Sequence, residues 1–226
     1  MGGPGPAGTV IVVGSALAAL GWGALLAGLL QGVPLRADGH VDGLTHLFTP
    51  FVAAAALAML TLIAAQGATF LTLRLPADDA APVSRLVRVA VTAVGAATVV
   101  GLLSDRVRAA AQQPLAAVLL LLLLVTALLA ARAALAGNRP GMAFAATSAA
   151  LALPVALVGV ALWPWALVST VGPGAGLTVA DAAASRPTLR LLGWLTVALL
   201  PALLGFQAMC WWVFRGRTDG RAPVYW

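Results

Sequence analysis

Residues 114–136 read PLAAVLLLLLLVTALLAARAALA. The stretch holds one charge, Arg132, and no acid, amide or histidine. At about 1.5 Å per residue, a helix of this length crosses the ~30 Å hydrocarbon core of a bilayer. Five further runs of the same kind occupy about 9–33, 47–73, 84–103, 140–163 and 188–214. Little chain is left over. Residues 1–226 therefore read as a single integral membrane domain, an all-α polytopic bundle of about six transmembrane helices. None of the six runs contains an acid or a histidine. These helices alone offer no imidazole to a haem iron and no buried carboxylate to a proton relay.

Composition agrees. Apolar residues make up 62% of the chain and charged residues 9%, against about 25% charged in soluble domains. All thirteen basic residues are Arg and all seven acids are Asp. This bias, with abundant Ala, Gly and Pro, suggests a GC-rich bacterial genome. The net charge of +6 is scattered over short loops. It forms no clustered basic face for nucleic acid, and contact with anionic membrane lipids is the expectation. Cys210 is the single cysteine, so no internal disulfide is possible, and a buried inert thiol is expected. Residues 1–8 carry no positive side chain and the run after them is too long for a signal-peptide core of about 7–15 residues. Pro6 stands where a myristoylation motif needs Ser or Thr.

Prolines punctuate the runs. Thr49-Pro50, Asn138-Arg139-Pro140 and Arg186-Pro187-Thr188 read as helix starts, where the missing proline N–H costs nothing. Pro34, Pro76 and Pro164 follow run ends, whereas Pro154 and Pro201 lie inside runs, where kinks are expected. Arg74, Arg85, Arg88, Arg132, Arg139, Arg215, Arg217 and Arg221 fall on one side of the membrane. Arg36, Arg106, Arg108, Arg186 and Arg190 fall on the other. The richer side is expected inside, which puts both termini in the cytoplasm of a bacterial cell with the chain in its cytoplasmic membrane. Gly14, Gly21 and Gly28 recur every seven residues, and Gly28 forms a GxxxG pair with Gly32. That stripe predicts close helix packing. The leucines 119–124 predict a peripheral, lipid-facing helix.

Polar residues inside the runs are few. Gln66 and Gln207 are expected to bond across helices, each bond worth roughly 0.6 kcal/mol. A quinone or other polar-ligand contact is the alternative. Arg132 and Arg190 lie near run ends and are expected to snorkel to the headgroups. The loop with Asp38, His40, Asp42 and His46 faintly resembles a calcium loop, but Thr49 stands where a bidentate Glu belongs. It reads as a solvated turn. Trp163, Trp165, Trp194, Trp211 and Trp212 mostly mark span ends, as an interfacial belt does. There is no Walker loop, and the glycine-rich residues 172–176 read as a flexible connection.

Three blocks carry a more specific signal. The first runs from Gly28 through Gln31 and Gly32 to Pro34. The second is Phe48-Thr49-Pro50-Phe51, followed by Gln66-Gly67-Ala68-Thr69-Phe70-Leu71 and Arg74. The third holds Asp181-Ala-Ala-Ala-Ser185, then Arg186-Pro187-Thr188-Leu189, Pro201, Gly205-Phe206-Gln207, and Cys210-Trp211-Trp212 closing on Gly216-Arg217. In order and spacing they resemble subunit II of cytochrome bd-type quinol oxidases. The resemblance covers almost the whole chain and is weakest across residues 76–160. The first span here resembles the family's third. The family's first two helices, with their Gly-Phe-Asp and Trp-Asp-Gly-Asn motifs and the acids attributed to proton delivery, have no counterpart. The expectation is a clipped gene, a fragment or a shortened variant.

The resemblance implies a supporting, non-catalytic subunit of a respiratory quinol:oxygen oxidoreductase. Haem b and haem d would sit in the partner, cytochrome bd subunit I, which oxidises quinol and reduces O2 to water. This chain would support assembly and proton supply, hold no haem or metal, and in some members carry a structural quinone. A small single-helix accessory subunit is a further implied partner. Asp181 is the residue the resemblance brings forward, with a cap on the last helix as its simplest role. A small transporter or channel is the competing class, but both internal prolines lie in the C-terminal half and midplane polar groups are scarce. No Ser/His pair or His/Glu metal set within the spans supports a membrane protease.

Overall fold

A computed structural model describes residues 6–35, 40, 48–74, 80–171 and 176–213. Among the described residues six helices are long and apolar enough to cross a membrane: α1 (Pro6–Leu30), α2 (Pro50–Arg74), α3 (Ala80–Leu103), α5 (Pro114–Ala136), α6 (Pro140–Leu162) and α8 (Arg186–Val213). The chain is thus an all-α, multi-pass membrane protein. Short elements that hydropathy does not announce lie between them. These are α4 (Asp105–Ala110), a two-stranded antiparallel ribbon of β1 (Trp165–Leu167) and β2 (Leu177–Thr178), and α7 (Val179–Ala182). Pro50, Pro114 and Pro140 open their helices, where the ring's fixed φ is already helical. α6 and α8 run without a break through Pro154 and Pro201.

α1 stops at Leu30, three residues before the apolar run does. Gly32 adopts φ +82° and its N–H donates to the Leu29 carbonyl at 3.1 Å. A left-handed glycine ends a helix by satisfying its last carbonyls. The chain then turns sideways. Val33 N–H donates to Val168 O at 2.9 Å, and Thr170 N–H to Val33 O at 3.1 Å. The segment after α1 is thereby stitched to the segment after α6. A Cβ on Gly32 would lie 2.9 Å from Thr170 Cγ2, so both the backbone and its neighbour require glycine there.

α2 is central, packed against α1, α3 and α6, while α5 packs against α6 and α3. The core is built of small and branched side chains, with Ala65, Val87, Ala90, Leu128, Ala131 and Ala150 all at 0% exposure. Small residues let backbones approach where lipid supplies no hydrophobic drive for helix association.

Two packing expectations need correction. Gly14 and Gly21 are exposed with no heavy atom near their Cβ positions; the close approach is at Gly23, where a Cβ would lie 2.6 Å from Ala56 Cα of α2. α5, expected at the periphery, buries Leu124, Leu128, Ala131 and Ala134 while Leu119, Leu122 and Leu123 remain exposed. A leucine-rich helix in lipid is apolar on both its packed and its lipid face, so composition does not separate them. The peripheral helix is α8, which has no buried residue.

Candidate functional site

The bundle gathers its polar side chains at two levels. At one end, α1 closes on Gln31, which is 1% exposed. Thr49, just ahead of α2, donates from Oγ1 to Gln31 Oε1 at 3.0 Å and accepts from the Val52 N–H at 3.2 Å. One threonine therefore caps α2 and anchors the amide that ends α1. Pro50 follows as the first residue of α2 and is itself exposed.

Toward the other end, α2 and α6 face each other through a polar cluster. Gln66 Nε2 donates to Ser148 Oγ at 2.7 Å. The Ser148 hydroxyl in turn donates to the Phe144 carbonyl at 2.8 Å. The hydroxyls of Thr69 and Thr147 lie 2.8 Å apart, and both side chains are buried. Gln66 Oε1 is buried and accepts no hydrogen bond among the described residues. One turn further along, Phe70, Phe144 and Trp211 of α8 form a three-ring cluster with centroids 5.8–5.9 Å apart. Arg74 covers the Phe70 ring at 5.4 Å, holding its charge at the helix end by a cation–π contact.

The third feature is an apolar cavity of about 460 Å³ among α1, α2, α3, α5 and α6. Leu26, Phe51, Met59, Leu121 and Leu157 belong to its wall, and Thr98 and Arg108 are its polar members. Thr98 spends its proton on the Val94 carbonyl, and Arg108 pairs with Asp105 one turn away. The volume falls within the range of about 300–1,000 Å³ usual for ligand pockets.

The residues singled out from sequence do not converge on one site. Gln31 and Gln66 hold the two polar levels. Gly32 shapes the turn after α1, and Gly67 is exposed with open space around it. Gln207 is exposed on α8, as are Arg132 and Arg190 on their helices, and Cys210 is partly buried. Asp181 does not cap α8. It lies in α7, where its N–H donates to Thr178 Oγ1 at 3.1 Å and its carboxylate accepts from the same hydroxyl at 2.5 Å. At the head of α8 it is Ser185 and Thr188 that pair, at 2.9 Å, and the Leu189 N–H donates to the Ser185 carbonyl. Trp212 is 63% exposed. Asp38, Asp42, His46, Gly216 and Arg217 lie outside the described residues. Among the described residues no three His, Cys, Asp or Glu side chains gather as a metal site.

Sequence reading missed Thr147 and Ser148, named Thr69 within a motif without its contact to Thr147, and missed that Phe70, Phe144 and Trp211 meet. The signal was present in part, since Gln66 and Phe70 on α2, and Phe144 and Ser148 on α6, are each spaced i,i+4 and so share a helix face.

Comparison with known proteins covers nearly the whole described bundle. The family model described as "Cytochrome bd terminal oxidase subunit II" matches residues 6–214. Cytochrome bd-I ubiquinol oxidase subunit 2 of Escherichia coli K12 is 29% identical over 92% of this chain. The chain spans 64% of that relative's length. Cytochrome bd ubiquinol oxidase subunit 2 of Bacillus subtilis is 32% identical over 38% of this chain and 26% of its own length. A match through all six long helices, with Gln31, Gln66 and Ser185 holding hydrogen bonds in the fold, leaves one assignment: the chain belongs to the cytochrome bd terminal oxidase subunit II family.

Proposed function

We propose that this chain is a supporting membrane subunit of a quinol:oxygen oxidoreductase, itself non-catalytic, in which a partner subunit I oxidises quinol and reduces O2 to water. The observation that carries the reading is the family match from residue 6 to residue 214. It disfavours an unrelated transporter or channel.

The side chains support placing haem b and haem d in the partner. No long helix carries a histidine, and the thioether of Met59 is the cavity's single sulfur. That donor set does not fit a haem. A structural quinone fits better. Its isoprenoid chain would lie along Leu26, Phe51, Leu121 and Leu157 in the apolar cavity, and when bound it would supply apolar contact within the bundle.

The location is the bacterial cytoplasmic membrane, with both termini cytoplasmic. The arginine distribution supports that orientation, because Arg74, Arg85, Arg88, Arg132 and Arg139 share the end that faces inward. Exposed arginines there would meet anionic lipid headgroups. Residues of α8 on the side away from Trp211 and Gln207, such as Trp194 at 74% exposure and Leu191 at 62%, offer apolar surface to subunit I or to a single-helix accessory subunit.

The test is co-expression with a subunit I and purification through a tag on this chain. The expected result is co-purification of subunit I with haem d absorbance in the reduced-minus-oxidised spectrum and with quinol oxidation. If the tagged chain purifies alone and leaves the haem d content of subunit I unchanged, the reading fails.

A further inference from the structure

Gln66 Oε1 is a buried carbonyl oxygen without a donor among the described residues. Leaving an amide oxygen unpaired in an apolar setting is costly, so the molecule should supply a donor. The helix register points to one.

The three rings of Phe70, Phe144 and Trp211 mark a common level on α2, α6 and α8. α2 and α8 run in the same direction and α6 runs against them, because Phe70 and Trp211 lie near helix ends and Phe144 near a helix start. Stepping back four residues on α2 and α8, and forward four on α6, moves in one direction by about 6 Å while staying on the same helix face. The residues reached are Gln66, Ser148 and Gln207. All three carry polar side chains. Gln66 and Ser148 are already bonded at 2.7 Å. Gln207 occupies the face of α8 that Trp211 turns toward α2 and α6, yet it is exposed, because α8 stands off the bundle with no buried residue. Leu200, Leu203 and Leu204 continue that face toward the other end of α8 and are also exposed.

We propose that α8 closes onto α2 and α6 about its Trp211 contact, and that the Gln207 side-chain amide then donates to Gln66 Oε1. Gln66, Ser148 and Gln207 become an interhelical clamp in which the Gln66 amide uses both its ends. Closure also buries the leucine face of α8 against the bundle. The inference does not rest on the oxidase reading, since it concerns contacts within this chain alone.

The experiment is disulfide trapping in membranes, on the full chain with Cys210→Ala as background. A disulfide needs Cα atoms within about 7 Å. Gln66→Cys with Gln207→Cys should crosslink within the chain under mild oxidation, severalfold more than Gln66→Cys with Phe206→Cys, which is turned off the face, or with Leu203→Cys, one turn away. Peptide mass spectrometry reads the bond. A second measurement guards against a misfolded cysteine pair. Gln207→Leu should lower the folding equilibrium constant in detergent by roughly threefold, the worth of an average interhelical hydrogen bond, Gln66→Leu by roughly eightfold because it also breaks the bond to Ser148, and the double variant should lose no more than Gln66→Leu alone. A folded 66/207 pair that crosslinks no better than its controls overturns the clamp. Strictly additive leucine effects overturn it as well.

Discussion

Thr49 Oγ1 donates to Gln31 Oε1 at 3.0 Å across the junction of α1 and α2. The two helix ends are joined by a side chain that also accepts from the Val52 N–H. This single hydroxyl lies beside an amide that is 1% exposed, so its loss is felt at both partners. Thr49→Val keeps the shape and removes both bonds. The expected cost is about 1–2 kcal/mol, the sum of a buried hydrogen bond and a helix cap. Thermal unfolding in detergent micelles measures it. A variant that melts with the parent would show that the junction is held by other contacts.

The glycines of α1 divide by what surrounds them. A Cβ on Gly23 would meet Ala56 Cα at 2.6 Å and Ala55 O at 2.8 Å, both backbone atoms, whereas a Cβ on Gly21 meets nothing within 4 Å. Gly23→Ala forces α1 and α2 apart and should cost about 1–3 kcal/mol. Gly21→Ala should change stability by less than about 0.5 kcal/mol, as open surface substitutions do. Equal effects at the two positions would refute the seam drawn at Gly23.

That contrast shows what the sequence carried and what it did not. Runs such as 114–136 announce membrane-spanning helices because a bilayer imposes a length and an apolar composition. The prolines at 50, 114 and 140 mark helix starts for a local reason, their fixed φ. Which face of each helix packs is another matter. In water a helix advertises its buried face by contrast with a polar one. Here Gly21 and Gly23, or Leu122 and Leu124, are chemically alike, and only three-dimensional packing separates them. Gln66 was legible as interhelical because an amide in lipid needs partners. Ser148 was not, because a serine in a helix can satisfy itself on a carbonyl one turn back, as Ser148 also does with Phe144. Asp181 was read one helix too far along, since α7 has only four residues and leaves no periodic trace.

Asp181 and Thr178 bind each other twice, through backbone and through side chain. Thr178→Ala removes the N-cap of α7 at a cost of about 1 kcal/mol. Asp181→Ala should act on the same element, and the double variant should add little. Amide hydrogen exchange reads this locally. Exchange should accelerate at residues 179–182 while the first turn of α8, headed by Ser185 and Thr188, stays as it was. Faster exchange confined to the start of α8 would instead make Asp181 a cap of the last helix.

Leu128 and Leu122 lie on the same leucine-rich helix and have opposite fates. Leu128 is at 0% exposure between α5 and its neighbours, and Leu122 is 57% exposed. In a soluble protein, truncating a buried leucine to alanine costs about 3–5 kcal/mol, part of it lost transfer from water and part the cavity left behind. Between membrane helices the transfer part largely vanishes, because lipid is as apolar as the leucine it replaces. Only packing and cavity remain, so Leu128→Ala should cost about 1–3 kcal/mol, on the low side of the soluble range. Leu122→Ala exchanges one lipid contact for another and should fall within about 0.5 kcal/mol of the parent. Denaturant unfolding in mixed micelles compares the two directly. If both truncations were silent, α5 would be the peripheral helix that its run of leucines suggests, and its packing against α6 and α3 would contribute nothing to holding the bundle together.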